Sequence, residues 1–126
     1  MLQSIHHIQI TIPPGMEIEA RAFYCQYLGL QEIEKPLPLQ MRGGFWMQLG
    51  AQQIHVGTET GVNRGATKAH IAYLVLDLAD WREKIAAYGL TVLESEPIPG
   101  FQRFEFRDPF GNRVEFLERC SALPAT

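Results

Sequence analysis

The chain contains one pattern of local structure twice, and this internal repeat restricts its fold more than any other feature. In each half, an alternating strand pattern is followed by a helical pattern that ends at a Gly-Leu pair, and three short strand patterns come next. The two pairs, Gly29-Leu30 and Gly89-Leu90, are 60 positions apart. Because such a period indicates two copies of one supersecondary unit, the sequence predicts two βαβββ modules.

The first module covers residues 5–57. Between Ile5 and Ile12, isoleucines alternate with polar residues, which indicates a strand with one buried face. From Met16 the apolar residues follow helical spacing as far as Gly29, a residue suited to the left-handed position after a helix. Three further strands are predicted, at Gln31–Lys35, Phe45–Leu49 and Gln52–Gly57.

The second module covers residues 68–118 and has the same order. A strand is predicted at Ala69–Leu76, and Asp77 is a suitable N-cap for a helix that ends at Gly89. A polar linker at 58–67 joins the modules, and a tail at 119–126 follows. From the chain length, residues 1–126 are expected to form a single domain. The remaining strands are predicted at Leu90–Glu94, Gln102–Arg107 and Arg113–Glu118.

Two βαβββ modules predict an α+β fold, with a curved mixed sheet, helices on its outer side and a concave face open to a small molecule. The composition, 46% hydrophobic and 20% charged, is that of a packed globular protein. The net charge of −3 argues against a nucleic-acid partner, and no apolar run reaches the roughly 20 residues of a membrane helix. Two cysteines and no signal-peptide pattern predict a cytoplasmic protein without disulfides.

Four side chains that can bind a metal ion occupy matching positions in the two modules. His7 and His70 lie on the first strand of each module, and His55 and Glu115 lie on the last strand. Each alternates with apolar neighbours, so it points away from the face that packs on the helix. The four groups are therefore predicted to meet at the concave face. By the same alternation, His6 is predicted to point to the opposite face.

Three imidazoles and one carboxylate suit Zn, Ni, Co, Fe(II) or Mn. Four protein ligands leave a position for water or substrate on a five- or six-coordinate ion, as a catalytic site requires. A single histidine or glutamate in a strand is more often only hydrogen-bonded. Four such groups at matching positions of a repeat favour a metal site.

The same residues resemble a known family, the vicinal oxygen chelate superfamily, which includes glyoxalases, bleomycin-resistance proteins and extradiol dioxygenases. The similarity rests on His7-Ile8, Ile54-His55-Val56, His70-Ile71 and the segment D-P-F-G-N-R-V-E-F at 108–116. It covers about residues 6–118, and that last segment is its most specific part, because Asp-Pro and Gly-Asn are turn-forming pairs. The resemblance implies a glyoxalase-like fold.

The resemblance also implies a divalent metal ion bound by His7, His55, His70 and Glu115. The position of His55 varies in the family, and without it the other three groups make a two-histidine, one-carboxylate triad. A metal-bound glutamate can act as the base in glyoxalases, so Glu115 is implied as the catalytic residue. Short members of the family commonly complete each site across a subunit interface, so a homodimer is expected.

Candidate substrate-binding residues are Gln9, Trp46, Gln48 and Arg103, and Arg103 could hold an anionic group of the substrate. The function favoured is that of a metal-dependent lyase or isomerase of the glyoxalase type, acting on a small metabolite with vicinal oxygens. Two alternatives stay open. One is an Fe(II)- or Mn(II)-dependent extradiol-type dioxygenase, and the other is a non-catalytic protein that sequesters a small molecule or antibiotic.

Overall fold

The computed structural model describes residues 1–120, which divide into two compact units. The first unit ends at Val62 and the second begins at Asn63. Each unit contains one four-stranded mixed sheet, and its elements follow the order βαβββ. The predicted α+β class and both modules are therefore confirmed. Residues 121–126, the end of the predicted tail, lie outside the described part of the chain.

The sheet of the first unit places its last strand in the middle. The elements are β1 (His7–Ile12), α1 (Glu17–Arg21), β2 (Gln31–Ile33), β3 (Phe45–Leu49) and β4 (Gln52–Thr58). The strand order is β1-β4-β3-β2, with β1 parallel to β4 and the other neighbours antiparallel. Side chains on β4 are thus flanked by side chains of both β1 and β3.

Apolar side chains from the strands and the helical segment form the buried core of this unit. Phe23 and Met47 are fully buried, and Ile54 is 2% exposed. Burial of side chains of this size contributes about 2 kcal/mol each before the entropy of ordering is subtracted. The remaining core residues are Ile12, Ala20, Tyr24, Leu30, Phe45 and Val56.

The helix of the first unit is not a regular α-helix over its whole predicted length. α-Helical bonding ends at Arg21, and Ala22–Tyr27 form a π-helical turn. The N–H of Leu28 donates to the carbonyl of Phe23 at 2.9 Å, five residues back, as this wider turn requires. Gly29 follows with φ +88°, which ends the helix where the sequence predicted.

The second unit repeats the sheet of the first. Its elements are β5 (His70–Leu74), α2 (Leu78–Ala87), β6 (Leu93–Glu94), β7 (Phe101–Arg107) and β8 (Arg113–Arg119). The strand order is β5-β8-β7-β6, again with the first strand parallel to the last and the other neighbours antiparallel. The last strand of the module is therefore central in both units.

Helix α2 begins at the predicted N-cap and packs on the centre of its sheet. Asp77, at φ +58°, accepts a hydrogen bond from the N–H of Asp80 at 3.2 Å. The carboxylate of Glu118 accepts a second bond from the N–H of Leu78 at 2.9 Å, which satisfies another free donor of the first turn. Trp81 packs edge-on against Phe116 with ring centroids 5.4 Å apart.

Several predicted boundaries are wrong, for local reasons. The first strand begins at His7 rather than Ile5, and the strand predicted at 90–94 is reduced to Leu93–Glu94. The strand predicted to reach Lys35 ends at Ile33, because a proline-containing 3₁₀ turn occupies Leu37–Arg42. The predicted linker likewise contains a 3₁₀ turn at residues 64–66. No helix within residues 1–120 is both long and apolar enough to cross a membrane.

Gly44 is required by the fold, and replacement by alanine tests this. Its φ is +77°, and a Cβ there would lie 1.9 Å from the carbonyl oxygen of Val56. Gly50 also has positive φ, +57°, but no described atom within 4 Å of a Cβ. We expect Gly50→Ala to cost about 1 kcal/mol and Gly44→Ala about 3 kcal/mol or more. Equal losses in urea unfolding, followed by circular dichroism, would contradict the collision.

Candidate functional site

Three rings form a stack on the sheet of the first unit. His55 on β4 lies between His7 on β1 and Trp46 on β3. The ring centroids of His7 and His55 are 4.0 Å apart at 12°, and those of Trp46 and His55 are 3.8 Å apart at 5°. Two of the predicted ligands are therefore neighbours, and a predicted substrate-binding residue contacts one of them.

His55 is a neutral imidazole at neutral pH. The residue is 4% exposed, and its Nε2 lies 2.9 Å from the Oε1 of Gln53. Burial is the main cause that lowers the pKa of His55 to about 4, and charge interactions with His7, His6 and Lys35 contribute to the same lowering. A neutral imidazole has the protonation state that metal binding requires, so His55 stays a candidate ligand.

His6 does not follow the predicted alternation. Its Nδ1 lies 3.0 Å from the Nδ1 of His7, and the two rings meet edge to face. The reason is that β1 begins only at His7, so the period of two does not extend back to His6. The prediction that His6 points to the opposite face is therefore wrong, and the residue belongs to the same surface as the stack.

A cavity of about 550 Å³ opens beside the stack in the first unit. His6, His7, Gln9, Lys35, Trp46 and His55 are among the residues that line it. Gln9 is paired in register with His55. Gln48 is not among the described residues that line this cavity. Its amide donates instead to the carbonyls of Gly50 and Gln52 in the turn between β3 and β4.

The second unit contains a cluster of His70, Glu105 and Glu115, which we call the carboxylate cluster. The ligand atoms of these three residues all lie within 4.8 Å of one another. His70 Nε2 is 3.2 Å from the Oε1 of Glu115, whose side chain is 5% exposed. Glu105 on β7 is directly opposite Glu115 on β8 in the antiparallel register. The other two predicted ligands are thus in contact within this unit.

Two arginines compensate the charge of the cluster. The Nη2 of Arg113 donates to both oxygens of Glu105 at 2.8 Å, and this contact lowers the pKa of Glu105 below its usual value. The Nη1 of Arg103 lies 3.3 Å from the Oε1 of Glu115, while its Nε donates to the carbonyl of Glu96 at 2.7 Å. Arg103 therefore pairs with carboxylates of its own unit.

The registers of the two sheets show which residues correspond. Glu115 takes the position of His55 on the central strand, and Glu105 takes the position of Trp46 on the antiparallel neighbour. Sequence reasoning missed Glu105, although it shares a strand face with Arg103 and alternates with buried phenylalanines. Only the hairpin register places it opposite Glu115.

The donor groups of the carboxylate cluster fit a divalent cation. One imidazole nitrogen and two carboxylates suit Mn, Fe(II), Zn, Co or Ni better than a soft metal. The side chain of Glu115 is buried, so a cation bound there would be shielded from bulk water. The structure brings His7 to His55 and His70 to Glu115, each pair within its own unit.

The sequence matches the family model of the Glyoxalase/Bleomycin resistance protein/Dioxygenase superfamily over residues 4–116. The chain belongs to this superfamily, whose members bind small-molecule substrates. No curated protein sequence matches the chain significantly.

Solved structures show the same fold. A glyoxalase family protein from Bacillus anthracis is 42% identical, with a TM-score of 0.85 and coverage of 95% of this chain and 98% of that chain. The fosfomycin resistance protein FosX from Listeria monocytogenes, complexed with Mn(II) and sulfate, is 17% identical, with a TM-score of 0.77 and coverage of 96% and 94%. An integron cassette protein from V. cholerae is 20% identical, with a TM-score of 0.67 and coverage of 94% and 96%. The last two likenesses show the fold alone.

The pKa of Glu105 tests the electrostatics of the carboxylate cluster. We expect Arg113→Gln to raise this pKa toward 4.5, because the hydrogen bond from Arg113 is the main cause of its lowering. A lowered folded pKa stabilises the fold above the unfolded pKa, and this stabilisation is lost as the pH falls through the lower value. The free energies of unfolding of wild type and Arg113→Gln should therefore differ at neutral pH and converge in acid.

The measurement is a carbon-13 NMR titration of the glutamate carboxyls in chelator-treated protein. Arg119→Gln removes the same charge from the same strand, and its guanidinium lies over the ring of Phe101 instead of a cluster carboxylate. This control should leave the titration of Glu105 unchanged. An unchanged midpoint in Arg113→Gln would show that Arg113 does not set the pKa.

Proposed function

We propose that this protein is a metal-dependent lyase or isomerase of the glyoxalase type, acting on a small metabolite with two neighbouring oxygen atoms. The observation that carries the proposal is the carboxylate cluster, in which one imidazole and two carboxylates present ligand atoms within 4.8 Å of one another. Membership of the superfamily supports the reaction class.

His70 and Glu115 are the principal ligands in this proposal, and Glu105 is a third candidate whose oxygens accept hydrogen bonds from Arg113. His7 and His55 stay predicted ligands, to be tested separately. When bound, a divalent cation supplies Lewis-acid stabilisation of negative charge that develops on the substrate oxygens. The candidate ions are Zn, Ni, Co, Fe and Mn, and elemental analysis of the purified protein would identify the one bound.

Glu115 is proposed as the group that takes a proton from the carbon next to the substrate carbonyl. Its Oε1 is oriented by His70 and Arg103, and its side chain is almost completely removed from water. Glu105 is a poorer base, because Arg113 occupies both of its oxygens and lowers its pKa. The two carboxylates are therefore assigned different roles, with Glu115 reactive and Glu105 fixed in place.

A homodimer that completes each site across its interface is proposed as the active form, on the strength of the family resemblance. Light scattering with size-exclusion chromatography tests it. Cytoplasmic localisation also stays a prediction.

Metal content tests the proposal directly. Unsupplemented purified protein is expected to contain about one divalent ion per chain, as a single catalytic site requires. Glu115→Gln and His70→Ala should each reduce this content at least about tenfold, because each removes a ligand. Glu94→Gln is the matched control, since Glu94 is an exposed carboxylate paired with Arg82. Full metal content in Glu115→Gln, measured by plasma mass spectrometry, would overturn the proposed site.

The predicted ligands of the first unit need their own variants. His7→Ala and His55→Ala should also lower the metal content if both histidines bind the same ion. His6→Ala, which removes the ring that meets His7 edge to face, is the comparison. A content that falls in His70→Ala but not in His7→Ala would restrict the ligands to the second unit.

Turnover separates the proposed function from its alternatives. We expect metal-loaded protein to convert at least one member of a panel of small hydroxy- and oxo-compounds to an isomer or an elimination product, detected by mass spectrometry. Oxygen consumption with catechols would indicate a dioxygenase instead. Tight binding of a panel member without any product would indicate sequestration.

A further inference from the structure

The cavity of the first unit has a cationic rim. Lys35 and Arg42 both line it, and of the described lining residues none is Asp or Glu. No described carboxylate forms an ion pair with either cation, although ion pairs involve four other arginines and a lysine of the described chain. Two positive charges therefore line a concave surface, and neither is paired with a carboxylate of the described residues.

The two cations are held at this rim in different ways. Lys35 is half-buried, and its Nζ donates to the carbonyl of Gly43 at 2.6 Å, which fixes the ammonium while leaving two of its three donors. Arg42 ends the 3₁₀ turn before Gly43, is exposed, and keeps the whole planar donor fork of its guanidinium. The nearby carboxylate of Glu17 accepts from the N–H of Gly44.

The rest of the lining suits the body of a small organic molecule. Leu39, Val56 and Trp46 supply apolar and aromatic surface, and Gln9 and Thr58 supply neutral hydrogen-bonding groups. An acid group at the cationic rim and an apolar or planar body against Trp46 would match this distribution. A guanidinium fork can bind a carboxylate through two parallel hydrogen bonds, and an ammonium adds a further charged donor.

Arg103, the arginine predicted from the sequence to hold an anion, is engaged elsewhere. It contacts Glu115 and Glu105 and donates to the carbonyl of Glu96. We propose that the cavity of the first unit binds a small carboxylate, with Lys35 and Arg42 holding its acid group. The cavity is also lined by His7 and His55, which are predicted metal ligands. The further statement that the bound carboxylate is the substrate rests on the proposed function. The substrate is then a small oxygenated acid.

Binding of mandelate and of its neutral amide, mandelamide, to the full-length chain tests the inference. The two probes share a ring and a hydroxyl group and differ in charge. Mandelate should bind at least about tenfold more tightly by calorimetry, the usual value of one charge-assisted hydrogen bond. The indole N–H signal of Trp46 should shift in NMR spectra, while that of Trp81 on α2 should not. Equal affinities, or no detectable binding of mandelate, would overturn the inference.

Substitutions at the rim test whether Arg42 contributes to binding of the acid group. Arg42→Gln should weaken mandelate binding about tenfold and leave mandelamide binding unchanged. Arg42 is exposed and has no described bond partner, so this variant should fold even if Lys35→Met, which loses the bond to Gly43, does not. Lys84→Gln removes one positive charge from α2 of the second unit and should leave mandelate affinity unaltered. An unchanged mandelate affinity in Arg42→Gln contradicts the inference.

The two proposals fail in different ways. Chelator-treated and Mn(II)-loaded protein are both titrated with mandelate. If the metal does not bind but mandelate does, with its dependence on Arg42, the proposed function fails and the carboxylate site stands. If the metal binds with the expected dependence on Glu115 but mandelate has no advantage over mandelamide, the carboxylate site fails and the proposed function stands.

Discussion

Two carboxylates face each other across the β7–β8 pair, and the proposed chemistry depends on how the fold tolerates them. Like charges directly opposite in a sheet destabilise it, so Glu105 and Glu115 need compensation. Arg113 donates hydrogen bonds of 2.8 Å to both oxygens of Glu105, while His70 and Arg103 contact Glu115. Because the side chain of Glu115 is 5% exposed, water cannot replace these partners. The sheet therefore keeps two carboxyl groups adjacent, where both are candidate ligands of the proposed metal site.

The first unit uses the same backbone positions for a different purpose. Where the second unit has Glu115 and Glu105, the first has His55 and Trp46, which stack at 3.8 Å. Stacked rings need no counter-charge, and burial keeps His55 neutral, with a pKa of about 4. One scaffold thus presents charged oxygens in one copy and neutral rings in the other. The residue types at these two paired positions, one on the central strand and one on its antiparallel neighbour, decide which.

Much of this arrangement is predictable from the sequence, because strand alternation and the repeat act at short range. They locate both βαβββ modules and the N-cap at Asp77. They also select four candidate ligands that are predicted to meet, of which the structure shows His7 against His55 and His70 against Glu115. Other features depend on how one strand is aligned with the next. Glu105 becomes a cluster member only through the register of a hairpin, and Arg103 finds carboxylates that no local pattern reveals. His6 was mispredicted because alternation holds only within a strand, and β1 begins one residue later.

The net charge of −3 conceals an uneven distribution of charge. In the second unit, carboxylates are concentrated on the polar face of β7 and β8, and Arg103 and Arg113 are committed to them. In the first unit, Lys35 and Arg42 border a cavity whose described lining contains no carboxylate. An averaged composition cannot show this division, because it arises only when the strands pair and each cation finds or lacks a partner. The carboxylate cluster of the second unit offers ligand oxygens to a metal cation, and the cavity of the first unit offers two unpaired cations to an acid group.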